Sequence, residues 1–163
     1  MTRIPAVGPS PSSRRTRPID SRFTPFHLEI RRSPIHGLGV FATVAIPKGR
    51  KVVEYAGERV SRLEGRRRFV RAWLSREKRL YLARLDPYWS IDGAYGGSGA
   101  ELVNHSCEPN LCWKKDRGRL FLRSRRKIRR GEELTIDYAF RKDGPRIACH
   151  CGAPACRGTV NQK

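Results

Sequence analysis

The stretch Asn104-His105-Ser106-Cys107-Glu108-Pro109-Asn110, written NHSCEPN, sits deep in a chain crowded with arginine. A surface turn needs only turn formers. This one adds a thiol able to ligate a metal, with amide and imidazole groups able to hold a ligand, and Pro109 stiffens its exit. It reads as a loop that builds a site, and its meaning depends on what the rest of the chain brings to it.

At 163 residues the chain suits one domain with a real core, and 38% hydrophobic against 31% charged residues suits a folded body. Lys and Arg number 35 against 15 Asp and Glu, a formal net charge of +20. Such a chain is drawn to polyanions, so contact with nucleic acid or a nucleoprotein is expected. No run of about 18 apolar residues occurs, so no membrane span is expected. The opening MTRIPAVGPSPSSRRTRPID lacks the apolar core of a secretory signal. It is rich in Arg and Ser like a transit peptide, but Pro5, Pro9, Pro11 and Pro18 oppose the amphipathic helix such peptides form. Residues 1–24 read as a disordered basic tail.

Downstream, FHLEIRRS and GVFAT read as two strands around the turn HGLG, and KVVEYAGERV as a third after the turn IPKG. Ser61 and Glu64 have capping-box spacing. Leu63, Val70, Trp73 and Leu74 follow at helical intervals with arginines between them, which predicts one amphipathic helix, weakened in its first turn by Gly65. LYLARL, YWSIDG, NLCWKK, RLFLRSRRKI and EELTIDYAF read as further short extended pieces, and AYGGSGAELVNHS as loop with a helical turn. The sum is a mostly β domain of small irregular sheets with one helix.

Five cysteines, an odd number, and no secretion signal favour metal binding in an intracellular, reducing compartment over disulfides. CHCGAPACRG supplies Cys149, Cys151 and Cys156 in a C-x-C-x4-C array, three thiolates of a tetrahedral zinc site. The fourth ligand is open among Cys107, Cys112 and His150. Alternation in C-x-C disfavours His150, and Cys112 lies in an apolar stretch that suits a structural thiol. A site closed by four thiolates has no open position, so its zinc is structural.

Taken together, these segments resemble the SET-domain protein lysine methyltransferases, over roughly residues 26–161. IHGLGVFA resembles the family's Gly-x-Gly cofactor turn, and EYAGE its tyrosine-bearing strand. YLARL followed by IDG resembles the middle segment. NHSCEPN matches the Asn-His-Ser-Cys-x-Pro-Asn signature, GEELTIDYAF the catalytic-tyrosine segment, and CHCGAPACRG the zinc-binding post-SET tail. The resemblance implies several small sheets with pseudoknot-like threading, a SET domain over 25–141 and a post-SET segment over 142–163. It also implies S-adenosylmethionine as methyl donor, a lysine-containing protein substrate of histone-like or nucleoid type, and zinc on Cys107, Cys149, Cys151 and Cys156.

By the same resemblance Tyr138 orients the lysine amine and the transferred methyl, and Tyr55 lines the lysine channel. Tyr81, Asn104, His105 and His150 border the cofactor. Gly37 and Gly39 let backbone approach it, with His36 and Leu38 alongside, and Asp137 braces the loop at Tyr138. Three positions depart from the family pattern: Ile136 where an aromatic is often found, Glu101 where arginine is frequent, and Thr159-Val160 in place of a large aromatic. A basic enzyme repels a basic substrate unless Glu54, Glu58, Glu101, Glu132 and Glu133 gather at the cleft. The competing reading is a catalytically weak SET-like scaffold that binds nucleic acid through its basic faces.

Overall fold

A computed structural model describes residues 17–75 and 80–163. Among the described residues, four small sheets surround one core. Strands β1 (Arg17–Pro18), β2 (Leu28–Arg32) and β3 (Leu38–Ala42) form the first, antiparallel and in that order. The second joins β4 (Lys51–Glu54), β10 (Arg119–Ser124) and β9 (Leu111–Asp116) in the order β4-β10-β9. The third joins β5 (Glu58–Ser61), β7 (Trp89–Asp92) and β6 (Leu82–Arg84) in the order β5-β7-β6. The fourth is a parallel pair, β8 (Asn104–His105) beside β11 (Thr135–Ile136). Val40, Ile46, Val52, Leu122, Ile128 and Leu134 are wholly buried where these sheets meet.

Two boundaries differ from the sequence reading. Residues 1–16 lie outside the described part, but the folded body begins before residue 25. Pro18 pairs with Glu29, Ile19 is buried in the core, and the Thr24 hydroxyl donates to the Val52 carbonyl at 2.7 Å. The polar, proline-rich surroundings hid one apolar anchor, Ile19. The single strand expected over 51–60 is also two strands. Between them Gly57 comes against the Asp92 carbonyl, where a Cβ would sit 2.3 Å from the oxygen. That close approach turns the chain from one sheet into another.

Helix α1 (Arg62–Leu74) forms where expected, with the Glu64 amide donating to Ser61 Oγ at 3.2 Å. Its docking face is not the expected apolar stripe. Leu63, Val70 and Leu74 are exposed, and only Gly65 is buried in the helix. A Cβ on Gly65 would meet Ser90 Oγ at 3.3 Å, so its lack of a side chain is what seats the helix on β7. Arg68 completes the seat, donating to Glu58 and Asp92 at 2.7 Å each and to Glu64 at 3.1 Å. Close backbone approach and a charged clamp thus replace the apolar face.

The segment Ser106–Asn110 is the crossing point of the chain. After β8 the chain passes through it into the β9–β10 hairpin and returns to lie beside β8, pairing Thr135 with Asn104 and Ile136 with His105. Asn110, 2% exposed, holds the returning strand. Its Oδ1 accepts from the Thr135 amide at 2.9 Å, and its Nδ2 donates to the Glu133 carbonyl at 2.7 Å and to Glu132 Oε1 at 3.0 Å. An apolar replacement leaves buried backbone groups without partners, at about 1–3 kcal/mol each. Asn110→Leu is therefore expected to cost about 3 kcal/mol or more in urea unfolding. Leu74→Ala, at an exposed position, should change stability by no more than about 0.5 kcal/mol. Equal effects would contradict this assignment.

Candidate active site

The chain crossing opens on one side into a cavity of about 780 Å³. The turn after β2 contributes His36, Gly37 and Leu38, and β8 contributes Asn104 and His105. Tyr81 and Tyr138 also line it, and the C-terminal segment contributes Cys149 and His150. The left-handed φ of +48° at Gly37 makes the turn possible, and a Cβ there would meet nothing within 4 Å.

Gly39 does something else. It does not line the cavity, and a Cβ on it would lie 2.2 Å from Glu133 Oε1. Its missing side chain admits the Glu133 carboxylate, which accepts from Ser33 Oγ at 2.8 Å and from Asn104 Nδ2 at 2.8 Å. Asn104 Nδ2 also donates to the carbonyls of Leu38 at 3.0 Å and His36 at 3.2 Å. The amide group of Asn104 therefore fixes the glycine turn, leaving its oxygen for other partners.

Tyr55 likewise sits one layer behind the cavity wall. It is buried, its ring meets Trp113 edge-on at 5.5 Å, and its hydroxyl donates to the Tyr81 carbonyl at 2.6 Å. Burial first, then the nearby Glu101 charge, pushes its phenol well above the ordinary value. Tyr138 reaches the cavity itself and donates to the Val103 carbonyl at 2.9 Å. Burial of the hydroxyl, with smaller contributions from Tyr81 and Glu133, pushes its pKa up to about 12. The phenol is thus held protonated throughout the neutral range.

His105 links this tyrosine to the cysteines. Its Nδ1 accepts from the Tyr138 amide at 3.2 Å, which leaves the proton on Nε2, 3.5 Å from Cys107 Sγ. Both ring nitrogens are engaged by protein, and burial lowers the imidazole pKa below its ordinary value. Cys107, Cys149, Cys151 and Cys156 converge with all ligand atoms within 4.8 Å of one another. Sulfurs on a tetrahedral ion bonded at about 2.3 Å stand about 3.8 Å apart, and Cys107 lies 3.8 Å from Cys149 and 4.0 Å from Cys156. The Arg157 amide donates to Cys107 Sγ at 3.3 Å and the Gly158 amide to Cys156 Sγ at 3.4 Å, as suits anionic sulfur. This donor set fits one metal ion. Cys112 is elsewhere, its thiol near the Arg123 carbonyl.

Phe69, Ala72, Phe140 and Ile147 escaped the sequence reading. Phe69 and Ala72 join Trp73 on the inner side of α1, and Phe140 and Ile147 complete an apolar wall with Val160. Asn161, 3% exposed, organises the C-terminal loop by accepting from the Ile147 amide and donating to the Arg141 and Pro145 carbonyls. Its only sequence signal was a polar residue beside the short apolar pair after the cysteines. The acidic residues do not gather at the cleft. Glu54 pairs with Arg119, Glu58 with Arg68 and Glu132 with Arg126; of the five, only Glu101 lines the cavity. Ile136 is buried in the core, and Glu101 folds back on its own preceding loop to accept from the Gly99 amide at 2.8 Å.

A model of the SET domain matches residues 37–139, and the chain belongs to the SET-domain family. It is 38% identical over 150 residues to histone-lysine N-methyltransferase TRX1 of Oryza sativa subsp. japonica, covering 82% of this chain and 14% of that protein. It is 36% identical over 142 residues to histone-lysine N-methyltransferase set-2 of Caenorhabditis elegans, covering 82% of this chain and 9% of that one. The chain thus spans a small part of the length of the curated relatives it matches. Among solved structures, KRYPTONITE in complex with mCHH DNA, an H3(1-15) peptide and SAH aligns at TM-score 0.68 and 30% identity, covering 84% of this chain and 30% of that one. A structure solved to explain the product specificity of histone lysine methyltransferases aligns at TM-score 0.71 and 30% identity, covering 85% and 57%.

Asp137 ties the segment that carries Tyr138 to the cysteine segment. Arg157 donates to its two oxygens at 2.7 and 3.0 Å, and the Ala139 amide donates to Oδ1 at 2.9 Å, supporting Ala139 at φ +52°. Burial alone would raise the Asp137 pKa, but these donors outweigh it and hold the carboxyl below its ordinary value. A depressed folded pKa adds stability that is complete above the unfolded value and is lost as pH falls through the folded one. Arg157→Met removes the bidentate partner, so acid unfolding followed by circular dichroism should begin at higher pH than in the wild type. An unchanged midpoint would show that the pair adds no stability.

Proposed function

We propose that the chain is an S-adenosylmethionine-dependent protein-lysine N-methyltransferase acting on a histone or another basic chromatin or nucleoid protein, in a reducing intracellular compartment. The observation that carries this reading is the neutral Tyr138 phenol, facing the cavity beside the pinned Gly37 turn and held by the Val103 carbonyl and the His105–Tyr138 amide bond. S-Adenosylmethionine supplies a methyl group on a sulfonium, open to in-line attack by a neutral amine.

The cavity suits such a donor. Asn104 holds the His36–Leu38 backbone in position, and Gly37 leaves the backbone bare. Phe140, Trp73 and Val160 give an apolar wall, and His150 covers the rim. The four-thiol cluster suits structural zinc, closed to water and substrate by its own sulfurs. Tyr55, read from the sequence as a lining residue of the lysine channel, stands outside the cavity lining and acts from behind it by fixing Tyr81 through its carbonyl.

An apolar wall disfavours ammonium and so aids the neutral lysine amine, whose ordinary pKa is about 10.4. Tyr138 is a poor base at neutral pH, and its work is orientation: the Val103 carbonyl fixes the hydroxyl against which the amine aligns. Support for a lysine-bearing substrate comes from relatives named as histone-lysine methyltransferases and from a neighbour bound to an H3 peptide.

The test is mass spectrometry of histones and of basic nucleoid proteins after incubation with zinc-loaded chain and S-adenosylmethionine. Methylated lysine is expected. Tyr138→Phe should retain donor binding and lower the rate about 10²–10³-fold, the usual cost of one oriented hydroxyl in a dry site. Full activity in Tyr138→Phe would remove the phenol from the mechanism. Donor binding with no methylation of any basic protein would favour the scaffold reading.

A further inference from the structure

Strand β10 alternates between two environments. Leu120, Leu122 and Ser124 are buried in the core, whereas Arg119, Phe121 and Arg123 stand on the outer face. On that face β9 sets Lys114 opposite Phe121, and β4 sets Lys51 opposite Arg123. The turn at Lys48–Arg50 folds onto the strand end, with the Gly49 amide donating to the Ser124 carbonyl at 2.9 Å and Arg123 Nε to the Gly49 carbonyl at 3.0 Å. Lys48, Arg123 and Arg125 there border a depression of about 510 Å³.

Two cations of this face are already neutralised, Lys51 by Asp116 and Arg119 by Glu54. Lys48, Lys114, Arg123 and Arg125 are exposed and form no ion pair among the described residues, Lys114 sharing only the more distant field of Asp116. None of them lines the cofactor cavity. Such a cluster repels itself and gains from any ligand that presents a row of negative charge.

The spacing selects the ligand. From Arg119 to Ser124 strand β10 runs about 17 Å at ~3.3 Å per residue. Over that length of duplex axis one strand presents about five phosphates at ~3.4 Å each. Single-stranded nucleic acid prefers open aromatic faces on which its bases stack. Here the Phe121 ring is covered by Lys51 Nζ at 4.6 Å and the Arg119 guanidinium at 5.2 Å. We propose that this outer face of the β4-β10-β9 sheet docks the phosphate backbone of duplex nucleic acid without reading its sequence, on a surface separate from the cleft.

The experiment is fluorescence anisotropy of a mixed-sequence DNA duplex of about 20 base pairs titrated with zinc-loaded full chain between about 50 and 200 mM salt. The variant K48Q/K114Q/R125Q removes three exposed cations without breaking an ion pair or a side-chain hydrogen bond of the described residues. The comparison variant R66Q/R67Q/R71Q removes three from the exposed side of α1. The sheet variant should weaken binding about tenfold or more and flatten the log–log salt slope by roughly 2.7, at about 0.9 for each phosphate no longer neutralised. The helix variant should change affinity by less than about threefold. The proposal is overturned if both variants weaken binding equally, which would reduce the effect to net charge. It is also overturned if the sheet variant binds like the wild type, or if a single strand of the same length binds more tightly than the duplex. No methyl donor is present, so the outcome is independent of the transferase activity.

Discussion

The parallel pairing of Thr135-Ile136 beside Asn104-His105 is the constraint on which the other parts depend, because it joins two segments that the β9–β10 hairpin would otherwise hold apart. Local turn chemistry does not supply such a crossing, and threaded arrangements are rare. Here it is held by buried amides. Asn110 satisfies the returning strand and Asn104 the glycine turn, so side-chain groups do the work that ladder bonds do in a larger sheet. Each would be costly to bury alone, and each is satisfied by backbone from a distant segment.

From that crossing, one seven-residue loop reaches four parts of the molecule. Asn104 holds the turn at Gly37, and His105 links the Tyr138 amide to the Cys107 sulfur. Cys107 joins the C-terminal cysteines, and Asn110 ties the strand that leads to Tyr138. Glu108 adds a further bond, accepting from the Ala155 amide at 3.2 Å. The cysteine cluster and the tyrosine are therefore not independent modules. A second link runs through Arg157, which donates to Asp137 while its amide faces Cys107.

Much of this was legible in the residues. The run of short strands, the Ser61 cap, the C-x-C-x4-C array and the NHSCEPN loop each carry a local chemical signature that survives folding. What was not legible is what depends on approach between distant segments. Gly39 read as half of a cofactor turn, whereas the space it leaves belongs to the Glu133 carboxylate. The periodicity of α1 was real, but Gly65 and Arg68 dock the helix and leave Leu63, Val70 and Leu74 exposed. Ile19 showed nothing in a proline- and arginine-rich segment to mark it as core. Glu54, Glu58 and Glu132 are instead paired with Arg119, Arg68 and Arg126, and linear order carries no information about such pairing.

The claim most exposed to test is that the loop makes donor binding depend on the cysteine cluster. Calorimetric titration of S-adenosylmethionine into zinc-loaded chain, metal-stripped chain and zinc-treated Cys107→Ser addresses it directly, with circular dichroism recorded on each sample. The account predicts one saturable site on the zinc-loaded protein and its loss or severe weakening in the other two, while the β-sheet signal persists. Equal affinity in all three would contradict it, because the cavity would then form without the cluster that His105 and Arg157 tie to it.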